Sequence, residues 1–348
     1  MTVGLGHRLL GRTLVVWAVL ALQPLVAPAQ VGNADPTRAV NLSANEAKLW
    51  LTRIHAAARG GNYQGTLVYS AGGRLSSSRV WHFSVGEQVF ELLEAQDGRQ
   101  QSITRHNDIV HTFWPQTKVA VVEKRETLAA WATTPQQVDP QALDQYELKR
   151  EGSSRVAGRE AAVLLLEPRD ALRYAQRLWA DQITGLMLRA DVMEGSSRSV
   201  RGVLESTAFS EVDIDVKPQP ELVLRVMRKL DGYQQVRPVQ KRTTLEAEGW
   251  ALPKPVQGFR LAGSMRRGMQ TAGDDEPVLQ TVFTDGLTHV SVFLEPFKAQ
   301  RHQAEVQAQQ GATSTLMARR GDHWVTVVGD VPAATLKLFS LAFERIRP

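Results

Sequence analysis

Residues 79–114, RVWHFSVGEQVFELLEAQDGRQQSITRHNDIVHTFW, decide the fold. Trp81, Phe83 and Val85 alternate with His82 and Ser84, the period of a strand with one apolar and one polar face. Val89–Ala95, Gln101–His106 and Ile109–Trp114 continue the series, with Asp97-Gly98 and Asn107-Asp108 as hairpin turns. Short strands joined by tight turns make an antiparallel meander.

Upstream, Gln64–Ser70 enters the meander through Gly72-Gly73. Before it, Ser43-Ala44-Asn45-Glu46 is a capping box, and Ala47, Trp50, Leu51, Ile54 and Ala58 recur at helical spacing until Gly60-Gly61. Downstream, Leu128–Trp131 and Pro140–Leu143 read as short helical excursions. Strands resume at Tyr146–Arg150, Ser154–Val156, Glu160–Glu167, Leu172–Ala180, Leu186–Met193 and Ser199–Ser210, with a turn near Asp181–Gly185. Roughly ten antiparallel strands under one helix cannot stay flat, and the sheet must curl, close or split. Residues 43–216 are expected to form that domain.

Lys217-Pro218-Gln219-Pro220 breaks the pattern, and 217–247 reads as a linker or sheet edge. From residue 248 a smaller α+β domain is expected to run to 348. Its strands are Val278–Phe283 and His289–Phe293 around Thr284-Asp285-Gly286, then Ala312–Ala318 and His323–Val328. A closing helix is expected, capped by Asp330, with Leu336, Phe339, Phe343 and Ile346 on one face.

The 348 residues are 43% hydrophobic and 22% charged, which excludes disordered and low-complexity classes. Residues 1–29 read as a signal peptide: His7, Arg8 and Arg12 precede an apolar Leu14–Leu22 and the small-residue site Ala27-Pro28-Ala29, with cleavage expected after Ala29. The apolar stretch is shorter than the ~20 residues that span a bilayer. A soluble protein of an extracytoplasmic compartment, the bacterial periplasm, is expected, where ATP and nicotinamide cofactors have no place. The net charge of +5 falls to +3 without Arg8 and Arg12, too weak a bias for a nucleic-acid binder.

With no cysteine, thiol nucleophiles and Cys-based zinc sites are excluded. There is no G-x-S-x-G elbow, S-x-x-K or H-E-x-x-H, so no catalytic residue and no metal site is assigned. His106 and His111 would face opposite sides of one straight strand, although the turn at Asn107-Asp108 leaves that open. The acidic pairs Asp213/Asp215 and Asp274/Asp275 read as solvated loop residues. The sheet's apolar lining is wider than the ~10 Å stripe one helix covers, leaving surface for a lipid. On alternation alone the candidates are Leu67, Trp81, Phe83, Phe90, Leu93 and Trp114.

Asn62-Tyr63-Gln64-Gly65-Thr66-Leu67-Val68-Tyr69 and the hairpin from Leu178-Trp179-Ala180-Asp181 to Thr184-Gly185-Leu186-Met187-Leu188-Arg189 resemble the periplasmic RseB/MucB family. So do Gly249-Trp250-Ala251-Leu252-Pro253, Phe283-Thr284-Asp285-Gly286-Leu287 and Val327-Val328-Gly329-Asp330-Val331-Pro332. The resemblance implies a half-open antiparallel β-barrel similar to the LolA/LolB lipoprotein carriers, followed by a smaller α+β domain. It also implies a non-enzymatic regulator of the envelope-stress sigma factor, without cofactors. Such a protein binds the periplasmic part of a membrane anti-sigma factor (RseA or MucA), shields it from proteolysis, and leaves on meeting mislocalised lipoprotein or lipopolysaccharide. The family places much of the anti-sigma contact in the second domain, where Trp250, Phe259, Arg266, Arg267 and Asp285 are the candidates; Trp250 and Phe259 read equally as core. A periplasmic lipid or lipoprotein carrier is the alternative, and homo-oligomerisation is left open.

Overall fold

The computed structural model describes residues 39–124, 140–195, 202–238, 240–268, 277–302 and 304–346. The expected leader at 1–29, the excursion at Leu128–Trp131 and the Asp274/Asp275 pair lie outside the described residues.

The first unit of the chain runs through β1 (Val40–Asn41), α1 (Ala44–Gly60), β2 (Tyr63–Ala71), β3 (Arg74–Val85), β4 (Gln88–Ala95), β5 (Ser102–His106), β6 (Ile109–Trp114) and β7 (Val119–Lys124). It continues with β8 (Tyr146–Val156), β9 (Arg159–Pro168), β10 (Ala175–Asp181), β11 (Met187–Glu194), β12 (Gly202–Ile214), α2 (Pro220–Met227) and β13 (Gln234–Val236). All thirteen strands share one sheet, in the order β1-β8-β9-β10-β11-β12-β2-β3-β4-β5-β6-β7-β13. Two meanders, β2–β7 and β8–β12, are joined by the antiparallel pairing of β12 with β2. The sheet is open, with β1 and β13 at its ends, and β13 adds to β7 in parallel.

The second sheet contains β14 (Gln240–Thr243), β16 (Arg260–Arg267), β17 (Val278–Thr284), β18 (His289–Pro296), β19 (Val306–Gln310), β20 (Thr313–Arg320) and β21 (His323–Gly329). Its order is β14-β16-β17-β18-β21-β20-β19, and α3 (Ala333–Ser340) packs on it. A two-stranded ribbon, β15 (Trp250–Ala251) with β22 (Glu344–Arg345), ties the start of this unit to the chain's end.

The capping box forms as the spacing requires: the Glu46 backbone N–H donates to the Ser43 hydroxyl, and the Ser43 N–H donates to the Glu46 carboxylate at 2.9 Å. Ala47, Leu51 and Ile54 then press on Leu148, Leu164, Leu166 and Leu178 of β8–β10. From Ala161 to Leu166 every side chain of β9 is buried, so this strand is apolar on both faces.

The segment 217–247, read as a linker or sheet edge, supplies an edge strand to each sheet, β13 and β14, and carries a helix that the reading did not foresee, Pro220–Met227, with Pro at its start. Two expectations are corrected. The closing helix stops at Ser340, because the chain turns into β22, and it leaves Ile346 46% exposed. Asp330 does not cap it; its carboxylate accepts from the Thr313 hydroxyl at 2.6 Å instead.

Candidate partner and apolar surfaces

Register assigns each expected apolar residue to a face, since directly opposed residues share one. Trp81 opposes Leu92, and Phe83 opposes Phe90. On these α2 lays Val223 and Met227, leaving Phe83 fully buried and Phe90 nearly so. Trp81 stays half-buried at the margin, with the Arg79 guanidinium 5.3 Å from its ring centre. Leu67 opposes Ser78 and Leu93 opposes Val80, so both lie on the other face, the one α1 covers. Trp114 has the parity of Thr112 and shares that second face.

The six candidates therefore form two groups of three rather than one lining. Phe83 and Phe90 are sealed core; Leu67, Leu93 and Trp114 are half-buried. The α1 face carries an unbroken cross-strand row of Val80, Leu93, Ile103, Thr112, Val121 and Val236, running over β3 to β7 and β13. Apart from buried Thr112 its members are half-buried. Val80, Ile103 and Val121 escape a reading based on the bulkier alternate set. Their signal is an aliphatic residue recurring at the position meant to be polar.

The last turn of α1 is pinned at the head of this row. His82 is buried, stacks on Tyr63 with ring centres 4.8 Å apart, and lies 3.3 Å from the Arg59 carbonyl and 3.0 Å from Glu91. Burial pushes the Glu91 carboxyl up, but hydrogen bonds and charge from His82 and Arg105 outweigh it and hold it below the usual carboxylate range.

The two sheets meet at a buried ion pair. Arg173 Nε donates to Asp285 Oδ2 at 2.8 Å, and the Tyr146 hydroxyl donates to the same oxygen at 3.1 Å. Asp285 Oδ1 accepts the backbone N–H groups of Leu287 and Thr288, at 2.9 and 2.8 Å, which shapes the β17–β18 turn. Arg173 also reaches Asp170 and the Gln257 carbonyl, and its guanidinium lies 4.5 Å from the Phe259 ring centre. Leu287, at the turn's tip, packs into the α1 core of the large sheet. Burial first, and then the Asp285 charge, raise the Tyr146 hydroxyl well above its ordinary pKa.

Of the expected partner contacts, Asp285, Trp250 and Phe259 are interior. Asp285 is occupied by the joint, while Trp250 and Phe259 belong to the second core with Phe283, Leu336 and Phe339. Arg266 and Arg267 reach the surface on β16: Arg266 pairs with Glu248, and Arg267 donates to Glu123 of β7 at 3.1 Å. The Arg173–Tyr146–Asp285 centre was not legible, because its members lie 139 positions apart in sequence at the widest. His106 and His111 do share a face, through the hairpin, opposite Ile109 and Thr104. Among the described residues no group of three or more His, Asp or Glu is placed to hold a metal.

Two surface features therefore stand out among the described residues: a half-buried aliphatic row on one face and arginines at the seam of the sheets. Profiles of the MucB/RseB N-terminal domain and the MucB/RseB C-terminal domain match residues 46–227 and 244–344. The sigma factor AlgU regulatory protein MucB of Pseudomonas aeruginosa is 29% identical over 311 residues, covering 88% of this chain and 92% of that protein. The sigma-E factor regulatory protein RseB of Haemophilus influenzae is 24% identical over 279 residues, covering 79% and 84%. Among solved structures, the P. aeruginosa MucA/MucB complex superposes with a TM-score of 0.66 at 28% identity, covering 87% of this chain and 100% of that one. A structure of MucB with MucA(peri) gives 0.64 at 27% identity, covering 88% and 100%.

Proposed function

The chain belongs to the MucB/RseB family, and from that premise we propose that it is a periplasmic, non-enzymatic regulator of an extracytoplasmic-stress sigma factor. It binds the periplasmic part of a membrane anti-sigma factor, shields that part from regulated proteolysis, and is released when lipoprotein or lipopolysaccharide acyl chains occupy it. The observation that carries this reading is the match over both domains, in order, to MucB structures solved with MucA. The half-buried row from Val80 to Val236 supports an acyl site on the α1 face, with Leu67 and Trp114 beside it. A ligand there shifts the complex only by its differential affinity for the free and bound forms.

The test is a pull-down of residues 30–348 with the periplasmic segment of the anti-sigma factor encoded beside the gene, with and without lipopolysaccharide. Binding that lipid reverses is the expected result. Acyl chains that co-purify while the anti-sigma segment fails to bind overturn it in favour of a carrier. Leu93→Asp, a charge on the half-buried row, is expected to weaken lipid-driven release while leaving anti-sigma affinity within about threefold. Normal release in that variant moves the acyl site elsewhere.

A further inference from the structure

Two turns at one end of the second sheet touch the large one. The β17–β18 turn carries Asp285, and the β19–β20 turn carries Gly311 and Ala312. Three strand spacings separate them in the order β17-β18-β21-β20-β19, about 14 Å. On the Asp285 side opposite charges are paired, Arg173 with Asp285 and, from neighbouring β16, Arg267 with Glu123. The β19–β20 side is built differently.

Gly311 lies flat against the large sheet. Its φ is +60°, and an added Cβ would stand 2.7 Å from the Ala71 Cβ and 3.1 Å from Glu205 Oε2. Ala71 and Glu205 are directly opposed on β2 and β12, so the turn rests on a single rung of that ladder. Glu205 Oε2 accepts the Ala312 N–H at 3.4 Å and the Tyr69 hydroxyl at 3.0 Å. Beside it Gln309 Nε2 donates to the Tyr174 hydroxyl at 3.3 Å, and the Thr313 hydroxyl donates to Asp330.

This joint thus encloses two carboxylates, Glu205 buried and Asp330 half-buried, and among the described residues neither has an ion-pair partner. The titratable groups around them are few. Glu205 faces Tyr69 of β2 and Asp330 at the end of β21; Asp330 faces His289 at the start of β18; Tyr174 feels both Glu194 and Asp330. Burial, and then the Asp330 charge, raise the Glu205 carboxyl, and burial raises Asp330. Burial also pushes the His289 imidazole down, outweighing the charges of Asp285 and Asp330, and Arg260 adds to it. His289 therefore does not stay cationic as pH climbs past its ordinary 6.5.

Holding the turn does not require acids. Glutamine at 205 and asparagine at 330 would accept the same hydrogen bonds without a charge. What the carboxylates add is a dependence on protons: two like charges enclosed without a cation repel, and water solvates them again once the turn lifts.

We propose that the β19–β20 turn is a proton-operated latch between the two sheets, docked while Glu205 carries a proton and lifted from β2 and β12 when Glu205 and Asp330 are both charged. The Arg173–Asp285 pair, with opposite charges, stays closed and serves as the hinge. The latch goes beyond the regulatory reading above and does not depend on it.

The chain has no cysteine, so paired spin labels can be introduced cleanly. Exposed Arg74, in the hairpin after Ala71, and exposed Gln307 of β19 span the latch as R74C/Q307C; R74C/R99C, on exposed positions of the large-sheet unit alone, is the control. Label separations are measured on the full chain by electron spin resonance. In R74C/Q307C the fraction of longer separations is expected to rise at least about fivefold from about pH 4 to about pH 8, with R74C/R99C unchanged. Adding Glu205→Gln is expected to abolish the rise, and adding Asp330→Asn to reduce it, since the charge that helps raise Glu205 is then gone. Equal separations at both pH values without either substitution, a rise that survives Glu205→Gln or is undiminished by Asp330→Asn, or an equal change in R74C/R99C overturns the latch.

Discussion

Asp285 spends one oxygen on its own turn and the other on the opposite sheet, so a single carboxylate both shapes a hairpin and fastens two units. Its partner Arg173 has no exposed side-chain surface, so removing the carboxylate leaves a buried charge facing a vacancy. Asp285→Ala is expected to cost about 3–5 kcal/mol in urea unfolding. A loss under about 1 kcal/mol would mean that Asp170 and the Gln257 carbonyl suffice for Arg173. Gly258 is held to the same centre by geometry: its φ is +73°, and an added Cβ would come within 2.3 Å of Arg173 Nη2 and Gln145 Oε1. Both oppose any side chain there.

A second carboxylate reports on proton activity. Glu205 of β12 accepts from the Tyr69 hydroxyl at 3.0 Å and from the Ala312 backbone of the second unit at 3.4 Å. Burial, and then the charge of Asp330, raise its pKa above the ordinary 4.5 despite those bonds. Burial likewise raises Asp330, against the Thr313 hydrogen bond. Because the folded pKa is raised, the native state keeps a proton that the unfolded chain releases. The associated stability is complete below the unfolded value and is lost as pH rises through the folded one. Glu205→Gln stays neutral, so its stability relative to wild type is expected to increase as pH climbs above 4.5 and then level off. Thermal midpoints measured across that range check it, and a flat difference would refute the assignment.

At the scale of elements, α1 is the clearest case of local sequence dictating local structure. Its start is set by Ser43 and Glu46, and its buried stripe by Ala47, Leu51 and Ile54. Ser43→Ala is expected to cost about 1 kcal/mol, seen as a lower urea midpoint at unchanged slope. The hairpins of β2–β6 were legible for the same reason, since alternation and turn dipeptides act over a few residues. α2 was not, because Pro220–Met227 is apolar enough to pass for an edge strand and its target lies more than a hundred residues earlier in the chain. Nor was the split of the apolar candidates between faces. Val80 and Trp81 are both large and apolar, and only register against β4 says which of the two α2 covers.

At the scale of the molecule, the two sheets are not independent modules. Ending the chain after Lys217 removes α2 from Phe83, Phe90 and Leu92, β13 from β7, and Leu287 from the α1 core. Each uncovered large side chain is worth about 1.5–3 kcal/mol, enough together to exhaust the margin of an ordinary domain. Such a shortened chain is therefore expected to be aggregated or molten rather than a folded module, as near-ultraviolet circular dichroism would reveal. For the intact protein, tryptophan fluorescence, with Trp250 and Trp324 in the second unit, and far-ultraviolet dichroism are expected to follow one coincident transition. Two separated transitions would show that the joint is weaker than its buried contacts imply.

The placement of Leu287 also bears on the order in which the molecule can be made. A chain that emerges from its N-terminus has all of α1 and β8–β11 available long before residue 287 exists, yet the core between them includes that residue. Until the β17–β18 turn arrives, the early half waits with a gap where a side chain belongs. Its assembly is thus vectorial in synthesis but not in completion, and the interval before closure is when a chaperone would find it.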